Sequence, residues 1–241
     1  MRNAWLIAGR ELGAYLKTRT GYVIAAMVLV IDGLLFNAFA LGGGSKLSAE
    51  VLTQFFYFLS GTTMVASVFI SMRVLAEERQ SGTLALLYSS PVRDWEIVLG
   101  KYLAAFVFLS LLTLATVYLP ALILVHGKVS MGHIAVGYVG LLLLGSASIA
   151  IGTFASSLAP NQLLAAVIGG VLLVAMLLFW LVARVADPPL SDVFSALALH
   201  SQHFQPFQSG IIHLRDVIYY ALVTYVALFA ATRTLEARRW R

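Results

Sequence analysis

Few side chains in this sequence can do chemistry, and most of them flank long apolar runs. Asp32 is an exception, because it stands in the middle of the apolar run 22–41. A carboxylate in such a run is costly in lipid and marks a candidate intramembrane functional group. The plainer alternative is a protonated or hydrogen-bonded group facing a helix bundle, with Asn37 as its partner. Among the five histidines, His126, His133, His200, His203 and His213, the pair His200 and His203 would share one helix face. Two ligands are too few for a metal site, so loop or capping roles are expected and no bound metal. There is no cysteine, so thiolate and disulfide chemistry is excluded. No His-Glu-x-x-His and no Gly-x-Ser-x-Gly occurs, so no catalytic residue is assigned. Gly100-Lys101 and Gly127-Lys128 lack the upstream glycine of a phosphate-binding loop, so no nucleotide or other cofactor is expected on this chain.

The elements that must carry these groups are set by hydropathy. Of 241 residues 60% are hydrophobic and 11% charged. Soluble domains run near 25% charged, so lipid is the expected solvent. Six continuously apolar runs are each long enough to cross a bilayer as helix: 22–41, 53–72, 102–125, 134–158, 161–183 and 214–232. Barrel strands are shorter and alternate in polarity, so the expected fold is an all-α integral membrane protein with six spans in a single domain.

The net charge of +5 is read by position, with no nucleic-acid partner expected. Twelve of the sixteen cations fall in the segments that share a side with the N-terminus, and Lys46, Lys128, Arg184 and Arg215 fall on the other. The positive-inside rule then places both termini in the cytoplasm. Ala38-Phe39-Ala40 resembles a cleavage site, but the run and its leader are too long for a signal peptide, so an uncleaved first span is expected. Residues 4–18 read as an amphipathic helix with Trp5, Ala8, Leu12, Tyr15 and Leu16 on one stripe and Arg10 and Lys17 opposite. Such a helix can lie in the headgroup plane as an anchor or brace the first span as an elbow.

The loop 73–101 is the most patterned segment. The second span should run on through Glu77, Glu78 and Arg79 and stop at Gly82, since glycine favours a helix C-terminus. Thr83 can cap a short helix with Leu84, Leu86, Leu87 and Tyr88. Pro91 can open the next helix, with Asp94 and Glu96 near its positive end and Gly100-Lys101 at re-entry. An apolar knob on a charged loop is either a docking surface for a soluble partner or packed on its neighbours.

Glu77-Glu78-Arg79, Gly82-Thr83, Leu86-Leu87, Pro91 and Gly100-Lys101 together resemble ABC-2-type permeases, the membrane subunits of many ABC exporters. The resemblance is tight over about 30 residues and general in plan elsewhere, with an N-terminal elbow and six spans. It implies a non-catalytic permease subunit in a bacterial cytoplasmic membrane. It also implies two separate ATPase subunits carrying ATP and Mg, and a second permease copy, identical or related. The coupling role would fall to Glu77, Glu78, Gly82, Thr83, Leu84, Leu86, Leu87 and Pro91. His203-Phe204, Phe207, Gly210 and Arg215-Asp216-Val217-Ile218-Tyr219 resemble the last outer loop of permeases associated with gliding motility and nitrous oxide reductase maturation. Tyr88-Ser89-Ser90 and Ala85 depart from the usual charged residues of the coupling segment.

Small residues recur at four-residue spacing, Ser148, Gly152 and Ser156 in one run and Ala165-Gly169 and Ala166-Gly170 in the next. They allow close helix packing within one subunit or at a dimer interface. The outer segment 184–213 carries Phe194, Leu197, Leu199, Phe204 and Phe207, which suggests a short helix lying on the outer leaflet or docking an extracytoplasmic accessory protein. The competing functions are an ion-coupled secondary transporter, which would need ionisable pairs at mid-depth, and an intramembrane enzyme. The transported substrate is not legible.

Overall fold

The computed structural model describes residues 2–41, 48–83, 92–126 and 130–239. The described residues form helices and no strand. Helix α1 spans Arg2–Lys17 and α2 Arg19–Leu35, which runs on as a widened turn over Phe36–Leu41. Next come α3 Ser48–Ser71, α4 Ala76–Gln80, α5 Asp94–Ala115 and α6 Tyr118–His126. The last five are α7 Met131–Leu158, α8 Gln162–Val185, α9 Leu190–Leu197, α10 Gln205–Gln208 and α11 Leu214–Arg239. Six helical stretches are long and apolar enough to cross a membrane, as expected from the six runs.

The bundle is built around α7. Its residues Leu141, Leu144, Ala147, Ile149 and Ala150 are fully buried, and α3, α5, α8 and α11 pack on it. Close approach explains its small residues. A Cβ on Gly137 would strike the Phe56 ring, and one on Gly152 would strike Ser71. Ser148, Gly152 and Ser156 therefore face the interior of the bundle. Gly169 joins them, with Ala155 Cβ 3.5 Å from where its own Cβ would lie. Gly170 does not, because nothing lies within 4 Å of that position.

Two spans are interrupted. The second breaks between Ser71 and Ala76, and the Ser156 hydroxyl repairs it. It accepts from the Leu75 and Ala76 N–H groups at 3.0 and 2.9 Å and donates to the Met72 carbonyl at 3.2 Å. Backbone freed at depth needs such a partner. The third span breaks at Thr116–Val117, where Pro120 cannot donate back to Thr116.

The face of α1 that packs on the bundle carries Ala4, Ala8 and Tyr15, with Glu11 beside them. Leu12 is half-buried against the core, whereas Trp5 and Leu16 are exposed. Gly100 on α5 permits this packing: a Cβ there would lie 2.7 Å from the Ala4 carbonyl oxygen, so the two backbones nearly touch. A sequence expectation is corrected in the segment 186–213, where Leu199, Phe204 and Phe207 are fully buried instead of lying on a leaflet. Phe207 fits because Gly140 has no side chain to oppose it, and Tyr220 donates its hydroxyl to the Leu199 carbonyl at 2.9 Å. Leu197 remains exposed and Phe194 packs on Phe179.

Candidate functional site

The loop after the second span, the elbow helix and the start of the third span meet at one charged node. Residues 2–17, 71–83 and 94–101 all lie at this end of the bundle, called here the elbow face. Each element is placed for a local reason. Gly82 has φ +72°, a left-handed conformation that closes α4 as glycine does after a helix. Glu96 accepts from the Arg93 N–H at 3.3 Å and caps the start of α5. Asn3 of α1 donates to the same carboxylate at 3.1 Å.

Lys101 is the hub. Its side chain is 4% exposed, and its Nζ lies 3.1 Å from Glu11 Oε1 and 3.1 Å from Glu78 Oε1. One buried cation thus ties α1, α4 and α5 together. Glu78 also accepts from the Thr83 hydroxyl, and Arg10 lies 4.0 Å from it. Arg10 bonds Glu11 at 2.9 Å, and that hydrogen bond raises the Arg10 pKa further. A lysine this buried needs anionic partners, and here it has two.

A second set of bonds locks the loop to the spans. Arg73 makes a two-point pair with Glu77, at 2.9 and 3.2 Å, and lies 5.6 Å over the Tyr15 ring. Tyr15 donates to the Ile70 carbonyl at 3.1 Å and stacks on Phe108. Burial pushes its phenol pKa up. Arg79 donates to the Ala159 and Ser157 carbonyls at 2.5 and 2.9 Å, and Arg238 to Leu158 at 2.9 Å. Cations on the last carbonyls of α7 suit the negative end of that helix.

Glu77, Glu78, Gly82 and Thr83 are therefore brought together at this face. Leu84, Leu86, Leu87 and Pro91 lie outside the described residues. Sequence reasoning missed Asn3, Glu11 and Tyr15 as partners of the loop. The signal was present: Glu11 is an acid in phase with Ala4, Ala8 and Tyr15.

The remaining candidates are dispersed. Asp32 is buried and accepts from the Thr62 hydroxyl of α3 at 2.5 Å, so Thr62 takes the place expected for Asn37. At the opposite end, the far face, His203 pairs with Asp216 at 2.8 Å and also meets the Ala196 carbonyl at 3.1 Å. His200 meets Ser60 at 2.7 Å, and His133 meets the Gln208 carbonyl at 2.6 Å. The pair His200 and His203 thus serves two separate contacts. Among the described residues no three His, Asp or Glu side chains converge as a metal site would need.

The arrangement on the elbow face joins segments mechanically, through ion pairs. No curated protein matches the chain. A family model described as ABC-2 family transporter protein matches residues 24–232, which takes in part or all of each of the six long helices. This six-span membrane chain therefore belongs to the ABC-2 family of transporter proteins.

Proposed function

We propose that the chain is the permease subunit of an ATP-driven exporter, paired with a second permease copy, identical or related, and with two separate ATPase subunits. The ATPases carry the ATP and Mg, and the permease contributes motion without catalysis. It sits in a bacterial cytoplasmic membrane with both termini inside, as the charge asymmetry of its flanking segments supports. The last outer segment resembles that of permeases associated with gliding motility and nitrous oxide reductase maturation. Force or signal transmission to an outer accessory protein is then an alternative output of the same subunit.

One observation carries this reading. Lys101 binds both Glu78 of the loop and Glu11 of the elbow helix, so displacement of the loop must move α1 and α5 with it. A docked ATPase pushing on 77–91 would act on the spans through that node. The test is co-purification in detergent with candidate ATPases, comparing wild type with Leu86→Asp plus Leu87→Asp. Capture by the wild type and loss in the variant is the expected outcome. Equal capture by both keeps the permease reading and removes Leu86 and Leu87 from the docking surface. No capture by either overturns the ATP-driven reading and leaves ion-coupled transport, for which Asp32 would be the first residue to test.

A further inference from the structure

A long groove runs along the outside of the bundle between α2, α3 and α8, with a volume of about 990 Å³. Its middle is apolar, with Val23, Met27, Ile31, Val65 and Phe69 facing one another at membrane depth. Its far-face end is different in kind. Arg184 closes it, lying 4.4 Å over the Trp180 ring, with no carboxylate within 4 Å among the described residues. Gln208 lines the same end, is 5% exposed, and its Nε2 is buried with no hydrogen-bond partner. A buried amide donor without an acceptor is costly and points to a missing acceptor. Arg184 and Trp180 also border an adjoining polar hollow of about 670 Å³, which contains Asp192 on its wall.

An apolar slot at bilayer depth that ends in a guanidinium and an unsatisfied amide N–H is complementary to one kind of molecule. We propose that this groove binds an amphiphile with an anionic headgroup from the leaflet on the far face. Its chains would lie along α2 and α3, and its headgroup would bind Arg184 and Gln208. The tryptophan beside Arg184 stands at the depth where aromatic side chains meet headgroups. Basic pockets between spans hold anionic headgroups by the same charge complementarity. The volume lies at the upper end of the range for ligand sites, as a chained molecule requires. This site does not depend on the transport reading, because it would fill whether or not an ATPase is bound.

Trp180 supplies the readout. Trp5→Phe, Trp95→Phe and Trp240→Phe together leave it as the only tryptophan of the four. The purified protein in phosphatidylcholine micelles is titrated with chain-brominated phosphatidylglycerol and, separately, with chain-brominated phosphatidylcholine. Half-maximal quenching should need at least fivefold less phosphatidylglycerol. Arg184→Gln and Gln208→Leu should each reduce that preference, the first to near unity, while Arg215→Gln elsewhere on the far face leaves it unchanged. Unbrominated phosphatidylglycerol should reverse the quenching and inorganic phosphate should not. Equal quenching by the two lipids, or a preference that survives Arg184→Gln, overturns the proposal. So does displacement by inorganic phosphate, which would mean a free-anion site. Absence of quenching by either lipid, as when a second copy of the chain fills the groove, also overturns it.

Discussion

The two ends of the bundle hold themselves together by different physics. On the elbow face, the contacts are ion pairs between segments far apart in sequence, with Lys101 bound to Glu11 and Glu78. On the far face, ring packing and hydrogen bonds to backbone carbonyls dominate, both within residues 196–220 and across to α3 and α7, as in His200 with Tyr57 and Phe207 against Gly140. His203 lies 3.7 Å from the Tyr219 ring, Phe204 and Phe207 are fully buried, and Tyr219 and Tyr220 bond carbonyls of Leu197 and Leu199. Close-packed side chains tolerate little displacement, whereas a few charged contacts can exchange partners. The contrast suggests an end that transmits motion and an end that resists it.

The sharpest way to break this comparison is to remove the hub. Lys101→Met removes the buried cation shared by Glu11 and Glu78 and leaves them only the exposed Arg10, 2.9 and 4.0 Å away. Loss of one side of such a cluster costs about 3–5 kcal/mol. The melting midpoint in detergent should fall by several degrees, and capture of an ATPase should weaken with it. Adding Glu11→Gln and Glu78→Gln should recover part of the stability without restoring the link. A Lys101→Met protein that melts like wild type would show that the node is ornamental.

The complementary variant acts on the far face. Phe207→Ala opens a cavity beside Gly140 and Tyr220, with an expected loss of about 3–4 kcal/mol. Its effect should be confined to stability: the lowered midpoint should come with unchanged ATPase capture below that midpoint. If Phe207→Ala abolished capture while Lys101→Met spared it, the roles of the two ends would be reversed.

The six spans were legible because a bilayer demands runs of about 20 apolar residues, and nothing in tertiary packing competes with that demand. The elbow helix was legible as amphipathic, but the part of it that packs on the bundle was not, because Gly100 on a distant helix selects the face of α1 that approaches it. The repair of the second span by Ser156 lies about 80 residues away in sequence and leaves no local trace. Small-residue spacing does not separate Gly152 and Gly169, which lie at close approaches inside the bundle, from Gly170, which has nothing within 4 Å of its Cβ position. Glu78 stood out on the loop, but its partners did not, since ion pairing across 23 residues to Lys101 and 68 residues to Arg10 follows no period. The aromatics of 199–207 read as a leaflet-facing helix because inward and lipid-facing apolar residues look alike when the solvent is lipid.

The smallest expected effect concerns whether the far face depends on a neutral histidine. His200 lies between Tyr57 and Phe204, and its Nε2 meets Ser60 Oγ at 2.7 Å. The Ser60 hydroxyl also contacts the Tyr57 carbonyl at 2.6 Å, so its one hydrogen is directed there and the imidazole serves as donor. Burial pushes the His200 pKa down to about 4, against about 6.5 in an unfolded chain. A depressed base makes the unfolded state the better proton acceptor. Its contribution is therefore complete above pH 6.5 and is lost as pH falls toward 4. With allowance for partial solvent access the loss is about 2 kcal/mol. Melting of wild type and His200→Gln at pH 7.5 and 4.5 isolates this contribution from carboxylates that titrate in both. The wild-type midpoint should fall further than that of the variant. Equal falls would mean that the histidine is already charged or exposed, and that the far face is held by its aromatic packing alone.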